Sequence, residues 1–134
     1  MAVVRILSDE ELSPEAAEVF ADIRATRGTD FVNNIWRGLA NDPPALKATW
    51  ERVKAVMVTG RDGGLDPLVK ELIYMAVSVA NGCEYCVHSH TAAARAKGMT
   101  EAQYGDFLDV VMCASQTNAL AQALQLPPDD AFKV

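Results

Sequence analysis

A basic face is missing from this sequence. Its 134 residues carry 12 Lys and Arg against 18 Asp and Glu, a formal net charge of −6, with a pI near 4.8. Nucleic-acid binding needs a cationic surface, so this balance argues against that class of partner. A membrane span is missing as well. The longest apolar-rich stretch, LIYMAVSVA from Leu72 to Ala80, is far shorter than the roughly 20 residues that cross a bilayer as a helix. The first residues, MAVVRILSDEELSPE, turn acidic without a basic segment leading an apolar one. No export signal is visible there, and a cytoplasmic location is the expectation. Cysteines are few and odd in number: Cys83, Cys86 and Cys113. Three cysteines without a signal make a poor structural disulfide framework. Repeats, low-complexity tracts and linkers are absent, so one domain over residues 1–134 is expected. That length is enough to bury a real core. Strand signals are nearly absent too. Only AVVRIL has β-branched character, and it reads equally well as a coil lead-in.

Helix punctuation fills the rest. Half of the residues are hydrophobic and 22% are charged, an ordinary globular balance. Ser13-Pro14 sets an N-cap before a proline at the first helical position, and Gly28 follows the last periodic residue. Between them Ala17, Phe20, Ala21 and Arg24 recur at helical spacing, with Phe20 and Ile23 as core contacts. A short helix is expected over 33–39. Asp42-Pro43-Pro44 opens a longer one that Gly60 closes, with Leu46, Trp50, Val53 and Met57 as its apolar stripe. After the loop RDGGLDP, Asp66-Pro67 starts a helix that Asn81-Gly82 ends. The next begins at about Cys83 and runs to Lys97 before Gly98. Thr100 with Gln103 makes a capping box for the last stretch. That stretch runs to about Leu126 and Pro127-Pro128, with Gly105 as a candidate break. The expected fold is therefore all-α: a single-domain bundle of about six or seven helices, whose short loops make antiparallel neighbours.

The segment NGCEYCVHSH, residues 81–90, concentrates the chemistry. Spaced i, i+3, i+7, residues Cys83, Cys86 and His90 share one helical edge. His90 sits one turn past Cys86, within reach of its sulfur, whereas His88 lies roughly 200° around the helix from it and points away. Both cysteines fall in the first turn, where unpaired N–H groups and the helix dipole favour a thiolate. A thiolate with an imidazole beside it suits attack on a peroxide or a disulfide. Glu71, in the helix before, follows Lys70 and has no further charge after it until Glu84. In a hairpin it lies roughly 18 Å from the turn and His90 roughly 11 Å. Contact is then possible with some stagger, and the carboxylate could orient the ring and accept a proton. Cys113, in the apolar run DVVMCAS, reads as a small buried hydrophobe.

The spacing Glu71-x11-Cys83-x2-Cys86-x3-His90, followed by TAAARAKGMT, resembles the active-site signature of the AhpD-like alkyl hydroperoxidases. These belong to the carboxymuconolactone decarboxylase superfamily. The resemblance is strongest over residues 66–100. It implies an all-α protein that assembles as a homotrimer or homohexamer. It also implies a peroxidase or thiol–disulfide activity that uses no heme, flavin or metal, so no cofactor is expected. Carried over by position, Cys86 is the peroxidatic thiol, Cys83 resolves it as an intramolecular disulfide, and Glu71 and His90 relay protons. A hydroperoxide is the implied substrate. A dithiol donor, a lipoyl group or a thioredoxin-like protein, would reopen the disulfide. Where founding members have a histidine before the second cysteine, this chain has Tyr85, a phenol that shuttles protons poorly at neutral pH. Tyr85 and His88 are at most auxiliary. The order of attack stays open on physical grounds. Cys83 is nearer the helix start, and His90 favours Cys86.

Two other classes compete. A zinc site could use Cys83, Cys86 and His90, with His88, Cys113 or Glu71 completing four ligands, although ligands crowded on one helix fit a tetrahedron badly. Alternatively the chain is a non-catalytic assembly module, its apolar stripes serving an oligomer interface and its cysteines inert.

Overall fold

The computed structural model describes residues 2–132. Among them are six α-helices and no strand, as the all-α expectation requires. The chain sorts into two compact units, one up to Gly64 and one from Leu65 onward.

The first unit contains α1 (Pro14–Arg27), α2 (Asn34–Leu39) and α3 (Pro43–Val53). The caps explain the boundaries. Ser13 accepts the Ala16 N–H at 3.2 Å and Asp42 that of Ala45 at 3.1 Å, each supplying a partner that the first turn lacks. Gly28 ends α1 at φ 65°, a left-handed conformation that glycine adopts without strain. The expected single helix from Pro43 to Gly60 is instead α-helical to Val53 and π-helical from Lys54 to Thr59. Gly60 closes it by donating to the Ala55 carbonyl at 2.9 Å, one residue further back than in an α-turn.

Phe20, Ile23 and Leu46 are fully buried in this unit's core, with Val32, Trp36 and Trp50 nearly so. Burying each large aliphatic or aromatic side chain stabilises the fold by about 1.5–3 kcal/mol. Trp36 and Trp50 meet edge-to-face at 5.5 Å. Val53 packs against this core, and Met57 is half-buried. The AVVRIL segment is neither strand nor helix. It lies against α2, where Arg37 Nη1 donates to the Leu7 carbonyl at 2.9 Å.

The second unit contains α4 (Pro67–Ala80), α5 (Glu84–Ala96) and α6 (Glu101–Leu124). Asp66 caps α4 through the Leu68 N–H. Gly82, at φ 66°, makes the turn into α5, while Asn81 stays right-handed. Helices α4 and α5 pack as a hairpin, with Met75 and Ala94 buried between elements and Leu68, Leu72, Tyr104 and Phe107 around them. The capping box of α6 is formed. Thr100 Oγ1 accepts the Gln103 N–H at 3.1 Å, and Gln103 Oε1 accepts the Thr100 N–H at 2.9 Å.

Gly105 does not break α6, which is continuous to Leu124. One glycine costs about 1 kcal/mol relative to alanine, too little to interrupt 24 residues. The helix ends at Gln125, in the left-handed conformation at φ 50°, before the prolines are reached. No residue of α6 is buried, and Val110, Met112, Leu120 and Leu124 are exposed. Cys113 is therefore exposed, not the buried hydrophobe its apolar neighbours suggested. The run is apolar, but α6 meets the core at its start, through Tyr104 and Phe107, and not at Cys113. Among the described residues no helix is long and apolar enough to cross a membrane.

Candidate active site

Helix α4 turns its buried face, Glu71, Met75 and Ser78, toward its neighbours. These residues are spaced i, i+4, i+7, one stripe of a helix. Glu71 is only 4% exposed. A carboxylate at that depth needs partners for both oxygens, and it has them. Oε2 lies 2.7 Å from His90 Nδ1, and Oε1 accepts from Lys97 Nζ at 2.9 Å. Burial alone pushes the Glu71 carboxyl up, but the hydrogen bonds to His90 and Lys97 and the lysine charge outweigh it. The group is held below its ordinary value.

Tyr74, one turn along α4 from Glu71, lies flat on the His90 ring at 3.6 Å between centroids and 18° between planes. Its hydroxyl is pushed up by burial and then by the negative charge of Cys86, Cys83 and Glu71. The phenol thus shares one electrostatic neighbourhood with both sulfurs and the acid.

The turn between the helices sets the thiols. Ser78 Oγ donates to the Tyr74 carbonyl at 2.7 Å, and the Cys83 N–H donates to the Ser78 carbonyl at 2.9 Å. Cys83 is the N-cap of α5, and its sulfur accepts the Cys86 N–H at 3.3 Å. A serine or aspartate usually fills this role, so the sulfur receives hydrogen bonding suited to negative charge. Both cysteines are half-buried and free.

The sequence argument lowers the thiol of Cys86, and here the structure differs. Cys86 is pushed up to about 11 by donating its S–H to Cys83, then by burial, then by the charge on Cys83. The Cys83 sulfur beside it thus favours the protonated form of Cys86. Among the described residues no hydrogen bond joins His90 to either sulfur; its Nδ1 is committed to Glu71 and Tyr74 covers a ring face.

Glu71 and His90 meet across the hairpin as the spacing suggested. His88 lies on the opposite side, 80% exposed and 4.0 Å from Glu84. Tyr85 is 42% exposed. Cys113 sits on exposed α6, and Glu71 is bonded to a lysine. Among the described residues no group of three His, Cys, Asp or Glu side chains is gathered to hold a metal ion.

Two members of the cluster, Tyr74 and Lys97, escaped the sequence argument. Both were within its reach. Tyr74 is i+3 from Glu71, and Lys97 is i+7 from His90, so each shares a face with a residue already singled out. A cleft in the first unit, lined by Glu15, Glu18, Asp22, Lys47, Trp50 and Glu51, offers carboxylates but no thiol or imidazole.

Comparison with known proteins gives consistent matches. The model of the carboxymuconolactone decarboxylase family matches residues 44–127. A crystal structure of an alkylhydroperoxidase AhpD core from Rhodospirillum rubrum superposes with a TM-score of 0.95. It is 65% identical and covers 100% of this chain and 98% of that one. An uncharacterised protein of Cupriavidus necator is 33% identical over 85 residues, 63% of this chain and 73% of its own. An alkyl hydroperoxide reductase AhpD of Mycobacteroides abscessus is 40% identical over 65 residues. That match takes in 48% of this chain but spans only 35% of the relative's length.

Proposed function

Because this chain belongs to the carboxymuconolactone decarboxylase family and is AhpD-like within it, we propose that it is a thiol-dependent peroxidase. It would reduce hydroperoxides through Cys83 and Cys86 with a Glu71–His90 proton relay. The observation that carries this reading is the 2.7 Å contact between His90 and a buried carboxylate, beside Tyr74, whose phenol feels both free thiols. Glu71 accepts the Nδ1–H, which fixes the tautomer and leaves Nε2 as the basic nitrogen. A thiol pushed up to about 11 needs such a base at neutral pH. Once deprotonated it is a strongly nucleophilic sulfur, since nucleophilicity rises with pKa. We therefore keep Cys86 as the attacking thiol and Cys83 as the resolving one.

The steps balance. In this reading His90 takes the Cys86 proton. The thiolate attacks the peroxide's terminal oxygen, the O–O bond breaks, and the departing alkoxide takes the proton from His90 and leaves as an alcohol. Cys86 is then a sulfenic acid. Cys83 displaces its oxygen as water and forms the disulfide. The sum is one hydroperoxide and two thiols converted to alcohol, water and one disulfide. A dithiol donor, a lipoyl group or a thioredoxin-like protein, returns both electrons by exchange.

The same proposal includes one AhpD-like domain over residues 1–134, a homotrimer or homohexamer, and a reducing, cytoplasmic setting. The exposed apolar side chains of α6 support assembly. They also support the second reading, an assembly module without catalysis.

Peroxide titration separates the two. It is run in a Cys113→Ser background, since Cys113 is an exposed third thiol. Loss of two thiols per chain is expected. Cys83→Ser should stall as a sulfenate on Cys86 by mass spectrometry, and Cys86→Ser should not react. Thiols indifferent to peroxide between about pH 6 and 8 would leave only the assembly module.

A further inference from the structure

The reaction above uses Glu71 and His90 but gives Lys97 nothing to do. Yet Lys97 stands where α5 ends and donates to the oxygen of Glu71 that His90 does not use. A carboxylate 2.7 Å from an imidazole favours the imidazolium, because opposite charges stabilise each other. An imidazolium has no free nitrogen and cannot accept a thiol proton. A relay built from Glu71 and His90 alone therefore tends to block its own base. A cation on the far side of the carboxylate cancels much of that pull.

We infer that Lys97 is a positioning residue that offsets the Glu71 charge and so keeps His90 neutral, protonated on Nδ1 and basic at Nε2. This rests on the peroxidase reading for its purpose, but not for its electrostatics. The groups around the pair are few. Glu71 meets His90 and Lys97 from α5, with Tyr74 on its own helix. His90 meets Glu71 and Tyr74 from α4, and Cys83, Cys86 and Lys97 belong to its own helix and caps. From α6, Tyr104 packs in the adjoining apolar cluster with the Arg95 guanidinium over its ring. Lys97 is the cation bonded to the buried carboxylate, at 2.9 Å.

The chain has two histidines, so NMR titration of the reduced full chain resolves each ring. His88, 80% exposed, serves as internal reference. Lys97→Met should raise the His90 midpoint by about one pH unit or more. Lys97→Arg should restore it, and His88 should stay put. The acid limb of peroxide-driven thiol loss should rise by the same amount. If Lys97→Met does not fold, Lys97→Gln reads the same midpoint. An unmoved His90 midpoint in the charge-removed variant overturns the inference, even if the wild type consumes peroxide. A raised midpoint in a protein that never consumes peroxide upholds the electrostatic role and overturns the peroxidase reading.

Discussion

Replacing Glu71 by Gln tests the centre of the site with one atom's change. Glutamine keeps the length and one acceptor oxygen, but its other end is an NH2 donor. The single oxygen can serve His90 or Lys97, never both. Whichever is dropped then faces a second donor. Glu71 is 4% exposed and makes two charge-assisted bonds. Breaking a well-buried charge pair by removing one partner costs about 3–5 kcal/mol. Here the Lys97 side chain is 38% exposed and can return to water, so the loss is nearer about 2 kcal/mol.

The pH dependence carries the sign. The Glu71 carboxyl is held below its ordinary 4.5. Its contribution is therefore fully present above that value and disappears as pH falls through the lowered one. Urea unfolding of wild type and Glu71→Gln, from neutral pH down into the acid range, should give curves that differ at pH 7 and converge in acid. Peroxide consumption should fall about 100-fold, as a disordered general base loses most of its contribution. Parallel stability curves across the acid range, or a variant as stable as wild type at neutral pH, would refute the reasoning.

His90→Ala removes the base while Cys86 keeps a thiol near 11. Its peroxide reaction should slow about 100-fold at neutral pH and climb steadily with alkali, in a stopped-flow pH–rate profile. Tyr74→Phe keeps the ring that lies on His90, whereas Tyr74→Leu removes it. The first should retain the His90 chemical shifts and most of the activity. The second should broaden or move those shifts and lose about tenfold in rate. At Gly105 an added methyl meets nothing within 4 Å. Gly105→Ala should thus stabilise the protein by up to about 1 kcal/mol in thermal melts, with no change in peroxide consumption.

The helix boundaries were legible because caps act locally. Ser13, Asp42, Asp66 and Thr100 each accept a backbone N–H two or three residues on, and sequence alone displays such pairs. The π-helical end after Val53 was not legible, since its i to i+5 bonds leave no distinctive residue pattern. Gly105 misled because its cost is small beside the rest of a long helix. Cys113 misled because apolar neighbours show only that a helix has an apolar face, not that anything covers it.

The periodicity of residues 83, 86 and 90 and the acid at 71 picked out, without coordinates, four side chains as candidates for one site. Helical phase is a property of the chain itself. How those groups are bonded to one another was decided only by the folded hairpin. There Cys83 becomes a cap acceptor, Cys86 a donor, and His90 spends one nitrogen on Glu71. Tyr74 and Lys97 entered in the same way, from across the helix pair. Ionisation depends on distance and burial, and these are set by the packing of one helix on another, which linear spacing does not contain.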